Sequence, residues 1–488
     1  MAKRKRDAPT APPLPTTNGD GTATKVAKTN VHADVKTSNA VIQIVVGSYE
    51  RVLHGITASI SISSTGKESF TVQFADSFLF NAHASAIRCL ALSPLPNTTP
   101  GEEQSVYLAT GGSDEKINVY SLAASPVAEN DRMPSMPSLG SNKISENPRN
   151  RELGTLLQHS AHITALHFPT RSKLLSASED NTVAISRTRD LTVISTVKAP
   201  HPKVQGQASG DTAPLGATPA GVNDFAIHPS MKLMVSVGRG EKCMRLWNLV
   251  TGKKAGVLNF RRHTLQAVKE SKYSSGEGRK IRWNPAGTEF AVAFERGVVM
   301  FGEDSKVHSL ALPQPLTKVH QICYVESKSK GMLSSMLAVS TEDGRIIFYD
   351  TGSKSETQDG EAQADQTVPN AKVLAQIGGK ATNNTGRIKD FEILHLTSLD
   401  HGFEGLAIVT AGSDGTVRVW KVAYEELGGK GKEIQQVGSL IGTYETGNRI
   451  TCLRAFVMLP TMDEDVGFSE FESMTEGESE TDSISEAE

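Results

Sequence analysis

The sequence predicts an all-β chain folded as a seven-bladed β-propeller, and three observations carry that expectation. Apolar runs of four to six residues, rich in Val, Ile and Phe, recur between Gly, Asp, Ser and Pro clusters; such runs mark short strands. No stretch sustains an amphipathic helix of three turns. One unit also returns along the middle of the chain: a strand, a Pro or Gly turn, a strand ending in Ser or Thr, a tight Asp turn, and a strand ending in an aromatic. That unit has the content of one propeller blade.

Taken in order, residues 1–40 open with Lys3, Arg4, Lys5 and Arg6 and continue through Pro, Thr, Ala, Gly and Asn with almost no large apolar side chains. They read as a disordered basic arm, and the cationic cluster fits a nuclear-import signal or a patch drawn to RNA phosphates. From Ile42 to Phe80 the segments IQIVVGSYE, RVLHGITASI and FTVQFADSFLF precede the first complete unit, whereas RITCLRAFVM, from Arg449 to Met458, has no strand after it. Pairing the two ends makes a seventh blade and removes free sheet edges. The ring then spans residues 41–460, its core formed by the stacked faces of neighbouring sheets.

Six units fill the interval. They are CLALSP with YLATGGSDEKINVYSL from Cys89, ALHFPTRSKLLSASEDNTVAIS from Ala165, and DFAIHPSMKLMVSVGRGEKCMRLWNL from Asp224. The others are IRWNPAGTEFAVAFERGVVMF from Ile281, MLAVSTEDGRIIFYD from Met336, and LAIVTAGSDGTVRVWKV from Leu406. These resemble WD repeats, in which a turn Asp, a Ser/Thr four residues before it, an aromatic six residues after it and a His form a buried polar cluster. Asp414 with Thr410 and Trp420 fits that pattern, Asp114 with Thr110 and Tyr120 nearly so, and Asp180 has Ser176 but Ser186 in the aromatic's place. His83 and His162 stand ahead of the first strands of blades one and two, as expected of the clustered histidines. A carboxylate bonded to turn amides and to an imidazole that also meets a hydroxyl leaves few polar groups unsatisfied; the residues read as structural, not as a hydrolase triad.

The third blade departs from the pattern, with Glu241 where Asp is expected and Ser236 one residue early for the hydroxyl position. In the fourth, Glu295 precedes Phe301 and Ala291 replaces the hydroxyl; in the fifth, Asp343 and Tyr349 are kept but Ser340 is the nearest hydroxyl to the place taken by Val339. The third and fourth turns are therefore expected to be built differently. Long loops at 123–150, 201–219 and 353–370 exceed what a blade needs. Residues 261–282 hold Arg261, Arg262, Arg279 and Lys280 among eight Lys, Arg and His against two Glu, a candidate phosphate-contacting patch for ribosomal RNA. Ahead of the first strands, Arg88, Asn223, Lys280, Lys318 and Lys389 form a candidate recognition surface on the face where propellers usually bind peptides.

The acidic, Ser-rich stretch 461–488 reads as a disordered tail, and Ser469, Ser473, Thr475, Ser479, Ser483 and Ser485 each have an acid three residues on; phosphorylation there deepens the negative charge. The net charge of −3 divides accordingly into +4 on residues 1–40, −11 on the tail and +4 on the ring. Four scattered cysteines with no C-x-x-C pair argue against a zinc site or a disulfide framework. The start lacks an apolar signal-peptide core, and nowhere do about eighteen apolar residues run together. Absent any nucleotide, zinc-protease or hydrolase motif, no enzyme activity, cofactor or small-molecule substrate is expected.

Taken together, VVGSYERVLHGI, SASEDNTVAI, VNDFAIHPSMKLMVSVG, RLWNLVTGKKAGVL, IRWNPAGTEFAVAF and NRITCLR resemble the p21-activated-kinase-interacting WD-repeat protein family, with its fungal maintenance-of-killer counterpart. The resemblance covers Ile42 to Met458. It implies a nucleolar assembly factor for the large (60S) ribosomal subunit, with precursor-particle proteins, a ribosomal-protein-like factor and RNA as partners. It also implies a competing role, inhibitory binding of a p21-activated kinase.

Overall fold

The computed structural model describes residues 40–63, 69–96, 104–127, 143–201, 220–271, 274–329, 332–352, 368–382, 386–399, 403–428 and 434–460. The basic cluster Lys3 to Arg6, the phosphorylation candidates from Ser469 to Ser485 and most of the three long loops lie outside these residues.

Seven antiparallel sheets follow one another, and their innermost strands pack in a closed cycle. The first strands of blades one to six are Ile87–Leu92, Ile163–Thr170, Val222–Ile227, Lys280–Trp283, Val319–Ser329 and Ile388–Leu399. Ile450–Val457 is the first strand of the seventh blade and pairs antiparallel with Ala40–Ser48, Ile44 facing Ala455. Val52–Ser63 and Ser69–Asn81 complete that sheet.

A blade stacks on both faces, so its middle strands are buried throughout rather than at alternate positions: Ile117–Ala123 of blade one and Glu289–Ala293 of blade four are buried at every position. Outer strands face solvent, and Thr192–Lys198 of blade two is exposed at all but one position. The hydrophobic core is correspondingly divided, with one buried cluster at each of the seven blade interfaces. Val409 and Val417 meet Ile44 and Ile56 between blades six and seven, closing the ring with the same kind of packing found elsewhere.

Three outer edges are covered by a recurring device. The connection between the third and fourth strands of one blade reaches back and lies parallel to the fourth strand of the blade before it. Lys143–Ile144 pairs with Ala75 and Asp76 of blade seven, Gln435–Gln436 with Ala375 and Gln376 of blade five, and Asn370 bridges Leu310 of blade four. Parts of the long 123–150 and 353–370 loops thus protect sheet edges from pairing with other chains.

Candidate interaction surface

The turns between second and third strands and the linkers entering first strands share one face, here the upper face. In blade one, His83 Nδ1 lies 2.9 Å from Asp114 Oδ1 and its Nε2 2.8 Å from Thr110 Oγ1, while the Ala84 amide donates to Asp114 at 2.9 Å. Burial opposes ionisation of Asp114, but the Ala84 amide and His83 outweigh it and hold the carboxyl below its usual range. A side chain at Gly112 would collide with this carboxylate, which folds back over the end of the second strand. Tyr120 stays outside the polar cluster and packs edge-on against Phe80.

Blade two repeats the arrangement with a different histidine from the one expected. His159, not His162, lies 3.1 Å from Asp180 Oδ2 and 2.7 Å from Ser176 Oγ; His162 Nδ1 instead meets the Ser113 carbonyl of blade one at 2.6 Å. His159 precedes its strand, which begins at Ile163, by the same offset as His83 precedes Ile87, and that offset decides which imidazole reaches the turn. Ser186, in the aromatic's place, donates to Gln158 Oε1 at 2.8 Å, and Gln158 Nε2 donates to Ser176 Oγ at 2.7 Å. A short polar bridge thus replaces the ring.

Arginine takes the histidine's part in blades three, five and six. Arg245 forms a double contact with Glu241, both nearly buried; Arg345 Nε donates to Asp343 at 2.8 Å; Arg418 donates to Asp414 at 3.1 Å. Ser236 is not misplaced, contrary to its spacing. Trp247 Nε1 donates to Ser236 Oγ at 2.8 Å, as Trp420 donates to Thr410 at 3.3 Å. Ser236 faces Arg245 as Thr410 faces Arg418, so the extra residue lies in the turn. In blade five Thr341, rather than Ser340, donates to Asp343, while Ser340 accepts from the Gln321 amide. The blade-four turn has no such cluster. Phe260, from the linker before the blade, packs edge-on against Phe294 at 5.0 Å and Val268 joins the same core, while the Glu295 amide donates to Glu270 of the linker at 2.7 Å, so apolar packing and that bond hold this turn.

The residues expected as a basic surface divide into four groups. Arg88 reaches Glu179 at 3.5 Å and Lys318 reaches Glu295 at 3.1 Å, two rim ion pairs that span neighbouring blades, while Arg279 approaches Glu295 at 3.9 Å within blade four. Asn223 donates to the Gly278 carbonyl at 2.9 Å and joins blade three to blade four. Lys389 is half-buried, and burial together with nearby Arg387 and Arg449 pushes its ammonium below the usual range. Arg261 and Arg262 are exposed at the start of the helix Arg262–Ala267, away from Lys280 on a first strand. The 261–282 stretch is therefore not one patch.

Sequence reasoning missed a charged cluster on the first strands. Asp224 accepts from Arg282 at 2.8 Å and from the Ile281 amide at 3.1 Å. Asp390 of blade six repeats this with Arg454 and the Leu453 amide, both at 3.1 Å, and also accepts from Gln321 at 3.0 Å. The partners lie 58 and 64 residues apart, which no local pattern reveals. Beside them burial raises Glu392 to about 7 despite Arg454. Burial likewise pushes the Cys89 and Cys323 thiols up to about 12, so they stay protonated. Thr110 and Ser176, the hydroxyls of the triad-like clusters, have no exposed surface, and a nucleophile must reach its substrate. The arrangement is suited to holding turns and presenting charge.

The sequence profile of the WD domain, G-beta repeat, matches residues 76–121, 150–185 and 392–421. The chain is 27% identical over 432 residues to Protein MAK11 of Saccharomyces cerevisiae, covering 84% of this chain and 82% of that one. It is 26% identical to p21-activated protein kinase-interacting protein 1-like of Gallus gallus, over 85% and 80% of the two chains. With p21-activated protein kinase-interacting protein 1 of Homo sapiens the identity is 24%, over 84% and 76%. The chain is a WD-repeat β-propeller related to these proteins.

Proposed function

We propose that this chain is a non-catalytic scaffold acting in the nucleolus as an assembly factor for the large (60S) ribosomal subunit. There it holds precursor-particle proteins, including a ribosomal-protein-like factor, together with RNA during rRNA maturation. What supports the reading is the similarity to MAK11 over more than four-fifths of both chains, joined to a surface suited to polyanions. A ring with loops on two faces engages several partners without moving. Around Glu179, Glu295 and Glu342 of the upper rim stand Arg88, Arg239, Arg279, Lys318 and Arg387, each acid having at least one cation. Lys389 adds a cation held against other cations. A site with surplus positive charge gains from an anionic partner.

Depletion of the protein followed by sedimentation of ribosomal subunits tests the proposal. A fall in free large subunits is expected; unchanged levels contradict it. A second reading, inhibitory binding of a p21-activated kinase, is favoured by the printed names of the Gallus gallus and Homo sapiens relatives. Raised kinase activity on depletion, with normal subunits, selects it.

A further inference from the structure

The outside of blade three carries a concentration of exposed cations. Between residues 220 and 271 the acids are Asp224, Glu241 and Glu270. Asp224 is engaged by Arg282, and Glu241 by Arg245. Glu270 accepts from the Ser274 hydroxyl and, at 2.7 Å, from the Glu295 amide. None of the three forms an ion pair with Lys232, Lys242, Lys253, Lys254, Arg261 or Arg262, six of the exposed cations of the same stretch. These six make no ion pair among the described residues.

Their placement is ordered. The outer strand Lys253–Asn259 carries Lys253 and Lys254 at one end. Its other end runs through Phe260, whose amide donates to the Lys242 carbonyl at 2.8 Å, into Arg261 and Arg262. Lys232 joins the first end, since its carbonyl accepts from Leu249 at 2.8 Å in the preceding turn. Two cationic groups are thus set at and just past the two ends of one strand, seven residues apart between Lys254 and Arg261, or roughly 23 Å if the chain stays extended. Lysines alone on an edge strand serve to block edge pairing. That role accounts for Lys253 and Lys254 but not for the arginines beyond the strand, for Lys242, or for the commitment of every acid.

We infer that the outer flank of blade three is an RNA-binding surface that grips the phosphate backbone independently of base sequence. A span of roughly 23 Å is long enough to lie alongside several consecutive phosphates of one RNA strand. Cations set out along a line rather than gathered in a pocket suit a continuous polyanion. The surface runs from the upper face, where Lys242, Arg261 and Arg262 lie in a turn and in the linker entering blade four, down the outer strand to Lys253 and Lys254 at the opposite face. The inference rests on the ribosome-assembly reading only for which RNA is bound.

The test uses the full chain and a 30-nucleotide single-stranded RNA of mixed sequence, with Kd measured across a KCl series. Reversing Lys253, Lys254, Arg261 and Arg262 to Glu is expected to weaken binding at least tenfold at moderate salt. It should lower the slope of log K against log salt by ~3, each lost phosphate contact removing about 0.7 to 0.9. A control reversing four exposed cations on other blades, Lys116, Lys173, Arg189 and Lys306, should change Kd less than threefold. Ultraviolet crosslinking of the unaltered protein should label the 253–262 segment. Equal losses in both variants, or no loss in the flank variant, overturn the inference. So does an acidic peptide of residues 461–488 that displaces the RNA and crosslinks to the flank more strongly than RNA does. These outcomes are independent of subunit levels after depletion, so failure of the flank and failure of the assembly role are told apart.

Discussion

Blades one and three solve the same turn with different chemistry. In blade one the turn carboxylate Asp114 is held by His83, which comes from the linker entering the blade and also binds Thr110. In blade three Glu241 is held by Arg245, which comes from the blade's own third strand. The histidine ties linker, turn and second strand into one unit; the arginine closes its hairpin alone. The arginine clamp of blade five, by contrast, also reaches its linker, where Arg345 donates to the Gln314 and Pro315 carbonyls. The comparison shows that the fold requires a buried acceptor met by a fixed donor, not a particular pair of residues.

Removing Arg245 should have the largest effect. Arg245→Met leaves Glu241 nearly buried without its partner, at a cost of about 3–5 kcal/mol in urea unfolding. Adding Glu241→Gln should recover most of the loss, and if the single variant costs under about 1 kcal/mol the two turns are not equivalent solutions. Next in size is His83→Ala, which strands Asp114 and Thr110 and should cost about 2 kcal/mol while accelerating hydrogen exchange at the Ala84 amide. His159→Ala should match it. His162→Ala should cost less than either, and the reverse order would restore the histidine that spacing alone selects.

A smaller effect, about 1 kcal/mol, is expected for Trp247→Phe, which keeps an aromatic ring but loses the bond to Ser236. If this bond is equivalent to the one between Trp420 and Thr410, Trp420→Phe should cost a similar amount. The pH profile separates the clamps from the first-strand cluster. Asp114, Asp343 and Asp414 all lie below the ordinary 3.8, so their stabilisation is present above about pH 4 and is lost as the pH falls below it. Glu392 has the opposite sign. Burial lifts it from 4.5 to about 7, so its favourable contribution is complete below pH 4.5 and fades as the pH rises toward 7. Glu392→Gln should flatten stability across that interval and leave the acid limb unchanged, as followed by thermal melts in matched buffers.

Much of the ring was legible because each blade restates its unit, and the seventh was legible because Arg449 to Met458 lacked followers. The finer structure was not. Two histidines three residues apart, His159 and His162, are told apart only by where the strand begins. One added turn residue disguised Ser236. Arginines such as Arg245 and Arg418 read as solvent-facing until cross-strand pairing puts them over their carboxylates. Asp224 with Arg282 and Asp390 with Arg454 depend on blades meeting around a ring, and the cationic flank of blade three depends on which acids are already engaged.

The measurement that bears most directly on the proposed role is a crosslinking map of this protein on purified precursor particles of the large subunit. RNA crosslinks concentrated at Lys253 to Arg262 and protein crosslinks at the upper rim near Arg88, Lys318 and Lys389 are the predicted result. Particles that lack the protein, or crosslinks only to a protein kinase, contradict it.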